Sequence, residues 1–318
     1  MRLTVEHLTK TFTMRRTWSS EALGVIQAVD DVSFEIAPGE VVALVGESGC
    51  GKSTIGRLLV GLERPTGGVV RADGETVALQ DLPRLRSWRR RVQLIFQHAD
   101  QALDPRRQLG DSIAEPLVVQ RVGSAAERHR RVVALLRQVA LDEAILTRLP
   151  HQCSGGQRQR ATIARALALE PELLICDEPL SALDVSIQSQ VLNLLSDLNR
   201  RAGLSFLFIT HDLRAARWLA DRVLVMYLGR IVEVASAATL FSVPKHPYTQ
   251  ALLAALPSAT KGPWQRAIGE VPSAFHVPSG CRFRTRCPYA EAICSQQEPV
   301  LKLVAEGNRV ACHLVEPW

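Results

Sequence analysis

The chain has 318 residues, more than one domain usually takes, so one large domain with an appendage is the first expectation. An apolar share of 47% and a charged share of 22% can build a buried core, which excludes a disordered or fibrous chain. The net charge of +6 permits contact with nucleic acid, but the arginine runs at 84–91 and 128–137 lack interleaved aromatics and read as solvated helix faces, so no nucleic-acid partner is expected.

Residues 1–12 are too polar for the apolar heart of a secretory signal. No later apolar run reaches the length that spans a bilayer. The expected location is therefore the cytoplasm, with any membrane association through a partner. Seven cysteines in that compartment point to thiols or a metal site rather than disulfides. Stretches 3–8 and 28–36 place apolar residues as strands do, and 41–45 is a short, wholly apolar run of the kind found in buried parallel strands. A glycine-rich loop follows, then a helix over 54–62 and a further buried strand over 92–96. The period turns helical from 111 to 168, with helices expected at 113–119, 126–139 and 156–169. Strand-like runs return at 173–176, 206–210 and 223–227. Beyond about residue 240 the composition shifts to Pro, Cys and irregular segments.

Three motifs carry chemistry. Gly46-Glu47-Ser48-Gly49-Cys50-Gly51-Lys52-Ser53 fits G-x-x-x-x-G-K-[ST], and Thr54 opens the helix behind it. Its glycines let backbone N–H groups turn inward around phosphate oxygens, and the following helix aims its positive end at the same anion. Lys52 supplies charge to the β- and γ-phosphates, and Ser53 offers a hydroxyl to Mg²⁺. The strand before Asp177 and Glu178 ends in two carboxylates, one suited to the Mg²⁺ shell and the other to polarising water. Ser154-Gly155-Gly156-Gln157 opens a helix with exposed backbone donors, an anion-binding arrangement as well as an ordinary N-cap.

Taken in order, the phosphate loop, Gln97, Ser154–Gln157, Asp177-Glu178, Ser181-Ala182-Leu183-Asp184 and His211 resemble the ABC ATPase family over about residues 1–240. The resemblance implies an α/β fold: a P-loop NTPase core with an antiparallel β-subdomain, an α-helical subdomain inserted at about 98–168, and a Cys-containing extension over 241–318. It also implies head-to-tail pairs, in which Ser154, Gly155, Gly156 and Gln157 face ATP held by the partner's loop and Asp184 touches that partner. Gln97 joins Ser53 and Asp177 around Mg²⁺, Glu178 is the catalytic carboxylate and His211 meets the γ-phosphate. Phe12 takes the place of the aromatic that stacks on adenine, with Trp18 as a competitor. Cys153 departs from the leucine frequent before Ser-Gly-Gly-Gln; it is expected to pack and leave activity intact.

The tail narrows the resemblance. His246-Pro247-Tyr248-Thr249, Pro272-Ser273 and Pro278-x-Gly280-Cys281 look like the dipeptide/oligopeptide importer branch, as does the stretch 225–233. That branch implies an ATPase on the cytoplasmic face of the cell membrane. Its implied partners are a paralogous ATPase subunit, two transmembrane permease subunits and an external solute-binding protein. A nickel importer is the close alternative, since substrate is chosen by other subunits. Soluble ABC ATPases of DNA repair carry a long coiled coil between loop and signature, where this chain has only about a hundred residues. Those of translation carry two ATPase domains.

Cys281, Cys287, Cys294 and Cys312 follow C-x₅-C-x₆-C-x₁₇-C, gaps wider than zinc ribbons prefer. Members of the resembled branch carry a [4Fe–4S] cluster on such cysteines. Zinc and free thiols stay open as readings, and His313 is a possible substitute ligand. Cys50 and Cys176 sit beside the nucleotide motifs, where Cys176 reads as a small buried strand residue.

Overall fold

The computed structural model describes residues 1–15, 22–97, 102–181, 183–256 and 267–316. Strands β1 (Leu3–Arg15) and β2 (Ala22–Ile36) pair antiparallel with Leu3 opposite Ile36 and Val5 opposite Phe34. Val32, Phe34 and Ile36 are buried while Asp31, Ser33 and Glu35 are exposed, the period-two pattern of a sheet with one wet face. Strand β3 (Val41–Val45) is buried at every position, as its unbroken apolar run predicts. Helix α1 (Lys52–Leu59) follows the glycine loop, then β4 (Gly67–Ala72) and β5 (Glu75–Thr76).

Asp81 caps α2 (Leu82–Arg91) by accepting from the Arg84 N–H, and β6 (Val92–Ile95) follows directly. Helices α3 (Leu109–Val119), α4 (Ala125–Gln138) and α5 (Gly155–Leu167) occupy the helical stretch read from sequence. α4 starts at a capping box, Ser124 with Glu127, which fixes its first turn. Then come β7 (Leu173–Asp177), α6 (Val185–Ala202), β8 (Ser205–Thr210), α7 (Leu213–Leu219), β9 (Arg222–Tyr227) and β10 (Arg230–Ser236). α6 stops at Gly203, whose φ of 62° is a left-handed C-cap. The tail holds α8 (Ala237–Ser242), α9 (Pro247–Ala254), α10 (Ile293–Gln296), β11 (Lys302–Ala305) and β12 (Asn308–Val310).

Contacts divide the chain into two compact units. One comprises Met1, Ala37–Glu40 and Val77–Ile209. In it β6, β7 and β8 lie parallel in that order, with Ile95 opposite Cys176 and Cys176 opposite Phe208. Its helices α3, α4 and α5 close on Ile113, Leu117, Val132, Leu136 and Ile163, all 2% exposed or less. Glu115 on α3 binds Arg107 at 2.7 Å and Arg165 of α5 at 2.6 Å, fastening the helical part with one carboxylate.

The other unit comprises Arg2–Ile36, Val41–Thr76 and Thr210–Trp318. It holds the antiparallel sheet β2-β1-β4-β5 and a second run of strands in the order β11-β12-β10-β9-β3. β3 and β9 are parallel, and β10 returns antiparallel on β9. The last pairing was not legible in the sequence: the tail folds back so that β12 pairs with β10, Val310 opposite Glu233. The tail's Tyr248, Leu253 and Phe283 share a buried cluster with Ala43, Val45, Val223, Val225 and Tyr227 of the core strands. Among the described residues no helix is long and apolar enough to cross a membrane.

Candidate nucleotide site and the segment behind its phosphate loop

The phosphate loop begins where β3 ends. A Cβ on Gly46 would stand 2.2 Å from the Met226 carbonyl oxygen, and one on Gly51 would stand 2.0 Å from that of Ala28. Gly51 also has φ 109°, so the loop can pass this close to neighbouring backbone only with glycine at both positions. Gly51 is the N-cap of α1 and brings no side chain to cap it, and a helix start of this kind favours an anion. Lys52 is 4% exposed, and its Nζ donates to the carbonyls of Gly46 at 2.8 Å and Glu47 at 2.9 Å. Ser48 and Gly49 form the exposed tip; Ser53 and Thr54 are half-buried in the first turn. Burial raises the Cys50 thiol above its ordinary pKa, so this cysteine is a poor nucleophile despite its place in the loop. Phe12 is half-buried with Lys10 Nζ 4.6 Å from its ring centre, while Trp18 lies outside the described residues.

The carboxylates stand in the other unit. Asp177 closes β7 and is 3% exposed. Glu178 follows in a left-handed conformation, φ 45°, with its N–H donating to the Ile209 carbonyl at 2.9 Å. Such a conformation in a non-glycine residue costs roughly 1–3 kcal/mol and gathers at functional sites. Gln97 Nε2 donates to Glu178 Oε2 at 2.9 Å, so two of the sequence candidates meet directly. Cys176 is fully buried in β7, and burial raises its thiol pKa far above the ordinary range; it packs and does no chemistry.

Ser154 and Gln157 make a reciprocal capping box on α5: the Gln157 N–H donates to Ser154 Oγ at 3.3 Å and the Ser154 N–H to Gln157 Oε1 at 3.0 Å. A Cβ on Gly156 would lie 2.8 Å from Ile187 Cγ2, so this glycine lets α5 close on α6. Gly155 has more room, with Leu183 Cδ2 at 3.6 Å from its notional Cβ. Cys153 is 7% exposed and packs, as expected. Asp184 is the exposed N-cap residue of α6, and His211 is exposed just after β8.

Sequence reasoning missed the roles of Glu233 on β10 and of His246, Tyr248 and Arg286 in the tail. Glu233, fully buried on β10, accepts the N–H groups of Lys245 and His246, each at 2.9 Å. His246 Nδ1 in turn accepts the Tyr248 N–H at 3.0 Å, capping α9 with Pro247 in its first turn. Burial pushes the His246 imidazole down to about 4, so the ring is neutral and its role is a cap. The His-Pro pair before an apolar run was the readable signal. Tyr248 packs on Tyr227 and Phe283, ring centres 4.6 and 5.3 Å away, and its Oη accepts the Glu47 N–H at 2.9 Å. Arg286 reaches the same loop residue: Nη1 and Nη2 meet the two carboxylate oxygens of Glu47 at 2.6 and 2.9 Å. The guanidinium lies 5.8 Å from the Tyr227 ring centre and 5.9 Å from that of Phe283.

Beside Arg286 stands the cysteine segment. The Cys281 N–H donates to the Cys294 carbonyl at 2.8 Å, and Gly280 passes close enough that a Cβ would sit 2.4 Å from that same oxygen. Burial first, then the charges of Cys294, Cys312 and Cys287, raises the Cys281 thiol to about 11. Burial likewise raises Cys287, which also faces Cys312 and Cys294, and Cys312, which also faces Cys294. All four cysteines are free of disulfides. Among the described residues no three His, Cys, Asp or Glu side chains are arranged to hold a metal ion. His313 Nε2 is engaged with the Gln297 carbonyl at 2.9 Å, away from a ligand role.

A phosphate cradle that a Cβ would fill, with a buried lysine, and a parallel sheet ending in paired acids define a P-loop nucleotide-binding protein. The fold is similar to that of the ATP-binding cassette MJ0796, solved as a dimer in a post-hydrolysis state bound to ADP and Pi. That match has a TM-score of 0.66 and 31% identity over 74% of this chain and 98% of that one. Residues 29–181 match the ABC transporter family and 232–294 match the oligopeptide/dipeptide transporter C-terminal region. The di/tripeptide transport ATP-binding protein DppF of Pseudomonas aeruginosa is 46% identical over 92% of this chain and 91% of its own length. The oligopeptide transport ATP-binding protein AppF of Bacillus subtilis is 45% identical over 98% of this chain and 97% of its own. The chain belongs to the ABC transporter ATP-binding proteins, in the branch that carries the oligopeptide/dipeptide C-terminal region.

Proposed function

We propose that this chain is the ATP-hydrolysing subunit that powers import of di- and oligopeptides through a membrane transporter. The observation that carries the reading is a complete set of ATPase motifs joined to a C-terminal segment of the peptide-transporter type, which is bonded to the phosphate loop itself. Relatives named for di/tripeptide and oligopeptide transport, matched over nearly their whole length, support it.

The catalytic roles follow from the residues. Gly46, Glu47 and Cys50 shape the loop, with the Glu47 N–H held by Tyr248 Oη; Ser48, Gly49 and Gly51 would turn backbone N–H groups to the phosphates, Lys52 adds its charge, and Ser53 and Thr54 begin the helix aimed at them. Ser53, Gln97 and Asp177 would each offer an oxygen to Mg²⁺, an ion that would supply charge neutralisation for the phosphates. Asp177, a buried carboxylate at a strand end, is the kind of donor that ion takes. Glu178 orients the attacking water and takes its proton at the carboxylate; Gln97 aims that carboxylate. His211 contacts the γ-phosphate, and Phe12 stacks on adenine. ATP and water yield ADP, phosphate and a proton. Ser154, Gly155, Gly156 and Gln157 face ATP held by a paralogous ATPase subunit, which Asp184 touches. Two transmembrane permease subunits and an external solute-binding protein complete the assembly, with this chain on the cytoplasmic face of the membrane. Cys281, Cys287, Cys294 and Cys312 would supply thiolates for a structural [4Fe–4S] cluster, and the donor chemistry of four free cysteines in one segment supports this. No catalytic step is routed through them.

Transport by vesicles carrying the co-purified permease, the ATPase pair and the binding protein tests the reading. Uptake of labelled di- and tripeptides that stops in Glu178→Gln supports it; uptake of Ni²⁺ and no peptide overturns the substrate class. Iron, sulfide and zinc analysis of anaerobically purified protein tests the cluster, and a colourless, zinc-only product rules it out.

A further inference from the structure

The second residue of the phosphate loop carries a negative charge where triphosphate is to bind. Glu47 is not left to solvent: its carboxylate receives both arms of the Arg286 guanidinium, and its N–H is held by Tyr248 Oη. The pair is secluded, with side-chain exposure of 8% for Arg286 and 28% for Glu47. Arg286 gains little as a simple stabiliser of the tail. Its Nε is buried without a partner among the described residues, and burying a guanidinium carries a desolvation penalty that an ion pair only about offsets. What the pair does provide is local and electrostatic: it cancels a charge on the phosphate loop and fixes the position of that carboxylate.

We propose that Arg286 is a positioning residue for ATP, which neutralises and anchors Glu47 so that the phosphate loop can accept a polyanion. The tail segment thereby sets the nucleotide affinity of a loop 239 residues earlier in the chain. Tyr248 serves the same end through the backbone, fixing the Glu47 peptide while Arg286 fixes its side chain. The inference rests on the loop's being the ATP site and is independent of what the transporter carries.

The test is equilibrium binding of N-methylanthraniloyl-ATP with Mg²⁺ to the full chain. Binding by wild type checks the ATP site itself; its absence sinks the site and the inference together. Arg286→Gln is expected to weaken binding roughly tenfold at low salt, about the effect of one uncompensated charge near the phosphates. The loss should shrink as ionic strength rises. Glu47→Gln combined with Arg286→Gln should return the affinity to within roughly threefold of wild type, since the repelling charge is gone. Arg286→Lys keeps the charge without the fork, and provides a folded comparison if Arg286→Gln does not fold; it is expected to lose roughly threefold. Undiminished binding by Arg286→Gln, a double variant as weak as the single one, or a tenfold loss in Arg286→Lys overturns the proposal.

Discussion

Gln97 Nε2 donates to Glu178 Oε2 at 2.9 Å, and Glu178 itself is held left-handed with φ 45°. The Glu178 carboxylate is thus aimed twice, by a side chain just past the end of β6 and by a strained backbone. Replacing Glu178 with Gln keeps the shape and removes the proton acceptor. ATP hydrolysis is expected to fall roughly 10²–10⁴-fold while nucleotide binding stays close to wild type. Phosphate release and binding measured on the same sample check it, and normal turnover removes Glu178 from its role.

The glycines of the phosphate loop are not equivalent. Gly51→Ala drives a Cβ to 2.0 Å from the Ala28 carbonyl at φ 109°, whereas Gly49→Ala meets nothing within 4 Å and bears only its φ of 79°. Gly49→Ala should cost about 1 kcal/mol of stability and retain nucleotide binding. Gly51→Ala should lose binding altogether and destabilise by more than about 2 kcal/mol. Urea melts and nucleotide titrations of the two variants give the comparison.

Gly156→Ala probes the paired-subunit arrangement. The new methyl would meet Ile187 Cγ2 at 2.8 Å, the end of a side chain that can turn aside, so the fold should survive with a loss of about 1 kcal/mol. Binding by the isolated chain should be unaffected, and hydrolysis by the assembled ATPase pair should fall at least roughly tenfold. Equal hydrolysis in variant and wild type would mean that this segment does not complete the partner's site.

Acid should loosen the tail before the rest. Burial pushes His246 from 6.5 down to about 4, so the native state binds fewer protons than the unfolded chain between these values. The stability contribution is full above pH 6.5 and is lost as pH falls towards about 4, a change of up to about 3 kcal/mol. Glu233 has the opposite sign: burial raises its pKa above 4.5, and its contribution, present at low pH, fades as pH rises through the folded value. His246→Asn retains an acceptor for the Tyr248 N–H and removes the titrating ring. Unfolding curves of wild type should steepen with acidification across pH 6.5 to 4, and those of the variant should do so less; identical pH profiles would count against the buried neutral imidazole.

Much of this was readable in advance because it is local. The β3 run, the loop after it and the strand ending in Asp177 each announce themselves within ten residues, and the helical stretch shows its period directly. Ser154 was legible as an N-cap, while the reciprocal bond from Gln157 came only with the fold. The left-handed turn at Glu178 was not, since nothing in a Glu codon position advertises a positive φ. The Arg286–Glu47 pair and the return of β12 to β10 were hidden for another reason. They join residues far apart in the chain, and such pairings leave no periodicity behind. His246 was read as part of a family signature, while its work is to cap a helix and carry Tyr248 to the loop.

The separation between Glu47 and Arg286 has a bearing on how the protein is made. During synthesis the phosphate loop leaves the ribosome first, and the arginine that neutralises it follows 239 residues later. At ordinary elongation rates that is a delay of about 10–50 s. Through that interval the cradle exists in sequence but carries a bare carboxylate at its rim. Tight ATP binding, on these contacts, is among the last properties the nascent chain acquires.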